Sequence, residues 1–181
     1  MRISGGELRN RDVPAPRGNA VRPTPAKVKE ALFSIVGGER IAGARVLDLY
    51  AGSGAIGFEA LSRGAAHVTF VEMNAATAAA IKRTAEQFGV AKRTSVICAP
   101  AETAAKRVAG HFDFVYADPP YAVPPPHLTF GTLRLRGAID AASVLVYERR
   151  EGAPPFASPG FSTVREARYG ETTLQFVRME P

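Results

Sequence analysis

ARVLDLYAGSGAIGFEALSRGA, residues 44 to 65, contains the turn on which the fold depends. Its first part reads as a short buried strand and its last part as a helix, and Gly52, Gly54 and Gly57 satisfy G-x-G-x-x-G at the join. Gly52 and Gly54 allow the chain to turn tightly and to approach a ligand with bare backbone, while Gly57 permits close helix-on-strand packing. Alone, such a motif is a weak signal, because many tight turns satisfy it.

The alternation continues on both sides. Upstream, in RPTPAKVKEALFSIVGG (22–38), Thr24 can cap a helix, Pro25 suits its first position, and Val28, Ala31, Leu32, Ile35 and Val36 recur at helical spacing until Gly37 and Gly38 stop it. Downstream, HVTFVEMN (67–74) predicts a second strand and AATAAAIKRTAEQFG (75–89) a helix ended by Gly89. TSVICA (94–99), FDFVYADPPY (112–121) and SVLVYERR (143–150) predict three more strands, with AETAAKRVAG (101–110) a helix between the first two. FSTVREARYGETTLQFVRM (161–179) offers two β-rich runs about Tyr169 and Gly170, an antiparallel hairpin. RISGGELR and RDVPAP near the start read as short extended pieces. Residues 122–142 are Pro-rich at first and weakly periodic after, without a clean amphipathic helix, so this crossover is expected to be short or loop-like. The pattern implies an α/β fold: a parallel sheet with helices on both faces and right-handed crossovers.

Composition limits the function. The 181 residues, 46% of them apolar, suit a single domain. The one cysteine, Cys98, excludes an internal disulfide and reads as a small buried hydrophobe; it carries no motif of a nucleophile. Three scattered histidines lack metal-site spacing, so no metal is expected. No signal-peptide core or membrane-length apolar run is present, which predicts a cytoplasmic protein. The net charge is +6, and residues 1–29 hold seven cations against two acids, which places +5 of it at one end. Such an arm is the footprint of a nucleic-acid binder or, more plainly, a solvated tail. Arg2, Arg9, Arg11, Arg17, Arg22 and Lys27 are its candidate RNA contacts, and residues 1–23 a candidate RNA-binding extension.

A parallel sheet binds ligands at the carboxyl ends of its strands, where strand order reverses. Glu72 ends the second strand 20 positions after Gly52, where a carboxylate can accept from both hydroxyls of a ribose. NAD and S-adenosylmethionine both fit these features. Asp48, at the end of the first strand, suits the ammonium of a methionine moiety and would repel a pyrophosphate; an aspartate bonding the glycine loop's own amides is the plainer role. Asp118, Pro119, Pro120 and Tyr121 end the fourth strand. An exocyclic base amine is a poor nucleophile because its lone pair is delocalised into the ring. A carboxylate from Asp118 and a rigidly held Pro119 carbonyl could accept its two protons and aim the lone pair at a methyl group, with Tyr121 stacking on the base.

DPPY after the fourth strand resembles the signature of amino-methyltransferases that use S-adenosylmethionine. RISGGELR, RPTPAKVKEALFSIV, LDLYAGSGAIGFEALSRGA, VEMN, ADPPY and RYGETTL together, in order across almost the whole chain, resemble the bacterial family that methylates the N2 amine of a guanine in 16S ribosomal RNA. That resemblance implies a Rossmann-like, seven-stranded methyltransferase sheet with a reversed last strand and a short N-terminal extension that grips RNA. It implies S-adenosylmethionine as cofactor, S-adenosylhomocysteine as product, and a substrate within the assembling small ribosomal subunit. The implied cofactor set is Asp48, Tyr50, Ala51, Gly52, Ser53, Gly54, Glu72, Met73, Ala101 and Glu102, and the catalytic set Asp118, Pro119, Pro120 and Tyr121. Pro100 stands where such enzymes often place a polar acceptor for the adenine amine, leaving Glu102 or a backbone group for that contact. An adenine-N6 methyltransferase would share DPPY but usually carries a separate recognition domain; a dehydrogenase would have no use for DPPY; a non-enzymatic RNA-binding module would explain only the basic arm.

Overall fold

The computed structural model describes residues 1–14, 26–120 and 123–180. Seven strands form one sheet in the order β3-β2-β1-β4-β5-β7-β6. They are β1 (Arg45–Leu49), β2 (His67–Glu72), β3 (Thr94–Cys98), β4 (Phe114–Ala117), β5 (Val144–Arg150), β6 (Phe161–Tyr169) and β7 (Thr172–Met179). β1 to β5 pair in parallel, whereas β7 inserts antiparallel between β5 and β6. The reversed last strand follows from the hairpin: Tyr169 pairs with Thr172, and Gly170 turns the chain at φ +60°.

Helices α1 (Ala26–Val36), α3 (Ala55–Ser62) and α4 (Ala75–Gln87) cover one face. α5 (Ala101–Ala105) and α6 (His127–Leu135) cover the other, and a single turn, α2 (Gly38–Ile41), links α1 to β1. Phe33, Phe58, Phe70 and Phe114 fill the first core, with Phe58 and Phe70 rings 5.0 Å apart. Phe112, Phe130 and Phe156 fill the second. α4 begins where Asn74 Oδ1 accepts from the Thr77 amide at 3.0 Å, an N-cap that VEMN places just beyond β2.

Several expectations need correction. Residues 122–142 are not loop-like throughout, because α6 supplies a nine-residue crossover. Its buried side is only Thr129, Phe130 and Leu133, while Leu128 and Leu135 are exposed; this narrow stripe is why the periodicity is faint. Gly38 opens α2 rather than ending α1, the stop falling on Gly37 alone at φ +86°. α5 covers five of the ten residues expected to be helical. Cys98 is exposed, not buried, because β3 is the outer strand of its side of the sheet. The expected cap Thr24 and the first-turn Pro25 lie outside the described residues, as do Arg17, Arg22 and Tyr121.

Residues 1–14 fold onto the domain. Arg2 and Asp12 form an isolated antiparallel bridge, and Ile3, Leu8 and Val13 are buried in the α1/α3/α4 core. The loop between them is held by Glu59 of α3, itself wholly buried: Oε1 accepts from Ser4 Oγ at 2.8 Å, the Gly5 amide at 3.1 Å and Arg63 Nε at 2.8 Å. Its Oε2 accepts from the Ser4 amide at 2.9 Å and from Lys29 Nζ. Lys29, 1% exposed, also donates to the Arg2 carbonyl at 2.6 Å, so one ammonium ties α1, α3 and the N-terminal loop together. Burial alone would raise the Glu59 carboxyl, but the bonds from Lys29 and Ser4 bring it below its ordinary value.

Candidate active site at the carboxyl edge of the sheet

Strand order reverses between β1 and β4, and the glycine loop and the D-P-P turn leave the sheet side by side at that point. Register fixes their level. Leu49 pairs with both Val71 and Ala117, so Tyr50, Glu72 and Asp118 each stand one step past a paired position on three neighbouring strands.

The glycine loop is held by carboxylates. Glu72 Oε2 accepts from the Gly52 amide at 2.9 Å and Oε1 from the Asn74 amide at 2.8 Å, so one side chain fixes both the loop and the start of α4. Asp48, 2% exposed, accepts from the Gly57 amide at 3.0 Å. The plainer role for Asp48, a bond to the loop's own amides, is therefore present in the structure. Gly57 has a steric reason: a Cβ there would sit 2.2 Å from Phe70 Cε1 and 2.8 Å from Val68 Cγ1, so α3 lies on β2 at a distance only glycine permits. Gly52 and Gly54 take φ of +54° and +80°, and the Gly54 amide closes the turn onto the Ala51 carbonyl at 2.7 Å.

Tyr50, a member of the expected cofactor set, is the strained residue of this loop. It holds φ +59°, a region bulky side chains avoid. Its ring packs on the α5/α6 face, where burial, with the charge of Glu102 adding, pushes its hydroxyl up to about 12. Tyr50 Oη and Thr129 Oγ1 of α6 are both buried and face one another without completing a hydrogen bond.

Asp118 and its neighbours form an acidic row. Burial raises the Asp118 carboxyl to about 6, with the Arg150 charge opposing. Burial also raises Asp48 well above the carboxylate range; the Gly57 amide counteracts this, and the charges of Asp118 and Glu72 add to it. Glu148 on β5 is 7% exposed and accepts from the Tyr116 hydroxyl. Pro119 is half-buried and Pro120 exposed. The Pro120 carbonyl accepts from the Val123 amide at 2.9 Å, whereas among the described residues no backbone amide donates to Pro119.

On the other side of the glycine loop, Met73 is 68% exposed at the end of β2, and Cys98 Sγ lies 3.7 Å from its carbonyl. Ala101 is buried and Glu102 half-buried in the first turn of α5, whose N-cap is Pro100. The structure thus gathers Asp48 to Gly54, Glu72, Met73, Ala101, Glu102 and Asp118 to Pro120 along one edge of the sheet. It separates them from Arg2, Arg9 and Arg11, which lie on the N-terminal loop over α3 and α4. Arg2 pairs with Asp12 at 3.6 Å, Arg11 donates to the Gln87 carbonyl at 3.2 Å, and Arg9 and Lys27 are exposed. Glu148 and Tyr116 were missed by sequence reasoning. The signal was there: a glutamate and a tyrosine inside VLVYERR and FVYA, runs otherwise apolar enough to be buried.

No group of metal-ligating side chains occurs among the described residues, nor is any helix there long and apolar enough to cross a membrane. Residues 1–178 match the family described as Conserved hypothetical protein 95. The chain is similar to the ribosomal RNA small subunit methyltransferase D of Escherichia coli, 31% identical over 181 residues and covering 99% of this chain and 90% of that one. It is also similar to YlbH of Bacillus subtilis, 39% identical over 125 residues, which span 67% of each protein. The solved Escherichia coli structure of yhhF superposes with a TM-score of 0.87 at 28% identity, over 100% of this chain and 98% of that one.

Proposed function

Because this chain belongs to the family described as Conserved hypothetical protein 95, we propose that it transfers the methyl group of S-adenosylmethionine to the exocyclic N2 amine of a guanine in small-subunit (16S) ribosomal RNA. The family supports an RNA methyltransferase through the relative whose name carries that activity. The observation that carries the cofactor is electrostatic. Asp118 and Glu72 stand close enough to Asp48, beside the glycine loop, to raise its carboxyl, an acidic edge that favours a sulfonium and an ammonium and disfavours a pyrophosphate.

The residues fit such a group. Gly52 to Gly54 offer bare backbone beside Glu72 and Asp48, whose carboxylates would take ribose hydroxyls and an ammonium, and Met73, Ala101 and Glu102 would flank the adenine. S-adenosylmethionine supplies an electrophilic methyl group there. The chain's own part is to present the nucleophile: the Asp118 carboxylate accepts from one N–H of the guanine amine and the Pro119 carbonyl from the other, no backbone amide among the described residues competing for it. With both protons held, the nitrogen lone pair is freed from the ring and points at the methyl. The N–C bond would form as the S–C bond of bound S-adenosylmethionine breaks, with S-adenosylhomocysteine leaving, and the surplus proton would pass from the nitrogen to solvent afterwards. Tyr121 would stack on the base, and Arg9, Lys27, Arg17 and Arg22 would hold phosphates in the assembling subunit, in the cytoplasm.

The test is transfer of labelled methyl from S-adenosylmethionine by the purified protein to small-subunit RNA from cells lacking it. Wild-type protein should label the RNA and Asp118→Ala should lose most of that activity. Equal labelling by both would refute the role of Asp118, and absence of cofactor binding by the wild type would favour a non-enzymatic RNA-binding module.

A further inference from the structure

Glu148 stands level with Asp118. Ala117 pairs with Tyr147, so the next residue on each of these adjacent parallel strands is an acid. The Tyr116 hydroxyl donates to Glu148 Oε2, and Leu174 is its register partner on β7, so one side of this carboxyl is clamped and another is apolar. The charged and titratable groups around the pair are Asp48 from β1, Tyr116 from β4, and Tyr147 and Arg150 from β5. α1 presents Val28, Leu32 and Phe33 to that core, and its buried Lys29 is committed to Glu59. Two carboxylates this close, Glu148 buried and Asp118 half-buried, cannot both ionise cheaply.

We infer that Glu148 is a positioning residue: clamped by Tyr116 and level with Asp118 on the neighbouring strand, it keeps the Asp118 carboxylate facing the substrate amine. This rests on the methyl-transfer reading. Its electrostatics agree with the geometry. Burial lifts Glu148 to about 8, the Asp118 charge adding and the Tyr116 bond opposing, while Asp118 lies at about 6. Between those values the pair carries one negative charge and sheds its second proton only above them. Ionising Glu148 puts a like charge beside Asp118 and pushes that carboxylate off its aim.

Single-turnover methyl transfer to unmethylated small-subunit RNA, across pH, tests this. Glu148→Gln keeps a neutral clamped group and should stay within about threefold of wild type at pH 7, whereas Glu148→Ala should lose about tenfold or more with cofactor affinity unchanged. The wild-type rate should fall above about pH 8, and that limb should vanish in Glu148→Gln. A Gln variant as damaged as the Ala variant, or an Ala variant indistinguishable from wild type, overturns the inference. If Glu148→Ala does not fold, an alkaline limb retained in Glu148→Gln overturns it alone. If wild type methylates no RNA, the methyl-transfer reading has failed instead. Carbon-13 carboxyl titration of the ligand-free protein then decides the charge assignment: a step near 8 that survives Glu148→Gln contradicts it.

Discussion

Glu72 has two tasks. Its two oxygens already accept from Gly52 and Asn74, and each retains a lone pair for a ribose hydroxyl. Glu72→Ala should therefore weaken S-adenosylmethionine binding by about 1.5 to 3 kcal/mol, the range for bonds to a charged group, as calorimetry would read it. Unchanged affinity in a folded variant would remove Glu72 from the site. Asp118 yields a pH prediction of definite sign. Only the ionised carboxylate accepts an amine proton, and its folded value is raised to about 6. The single-turnover rate should rise through about pH 6 and be lost below it, rather than near the ordinary aspartate value. A rate flat down to pH 5 would contradict the assignment.

The Lys29–Glu59 pair joins α1, α3 and the N-terminal loop. Both side chains are essentially inaccessible, so Lys29→Met removes the buried cation and leaves the Glu59 carboxylate to Arg63, Ser4 and Gly5, at a cost below the ~3 to 5 kcal/mol of a wholly unpaired buried charge but above ~1 kcal/mol. Denaturant unfolding would measure it. Because the Glu59 value is lowered in the fold, its stabilisation is complete above the ordinary glutamate range and is lost as pH falls through the folded value. The gap between wild type and variant should accordingly narrow in acid; a gap that widened there would be incompatible with the pairing. Most of these elements were legible in the sequence. Strands such as HVTFVE and helices such as AATAAAIKRTAEQ have one strong period and clear punctuation in Asn74 and Gly89. α6 was not, because three buried residues among nine leave almost no period. In the site, residues following strand ends could be read in order, since parallel topology brings strand ends together. Glu148 was legible only as a polar residue in an apolar run; its place beside Asp118 depends on the register between β4 and β5.

Across the domain, the charge at the N-terminal end is only partly available to a nucleic acid. Lys29 is buried, Arg2 pairs with Asp12, and Arg11 lies over the Phe88 ring at 5.3 Å. Removing the first 21 residues would take Ile3, Leu8 and Val13 out of the core and confound binding with unfolding. Arg9→Ala with Lys27→Ala is the better probe. It should flatten the salt dependence of RNA binding by about 0.7 to 0.9 log units for each phosphate no longer neutralised, with cofactor affinity unmoved. An unchanged slope would mean that neither residue touches a phosphate.

The acidic glycine-loop site and the D-P-P turn support transfer of a methyl group to a base amine, and the proposed base is a guanine of small-subunit RNA. Mass mapping of methylated nucleosides in small-subunit ribosomal RNA, with and without the gene, is the decisive test. N2-methylguanosine at one position should disappear with the gene and return with the wild-type protein but not with Asp118→Ala. Loss of N6-methyladenosine instead, or an unchanged set of methylated nucleosides, would contradict the account.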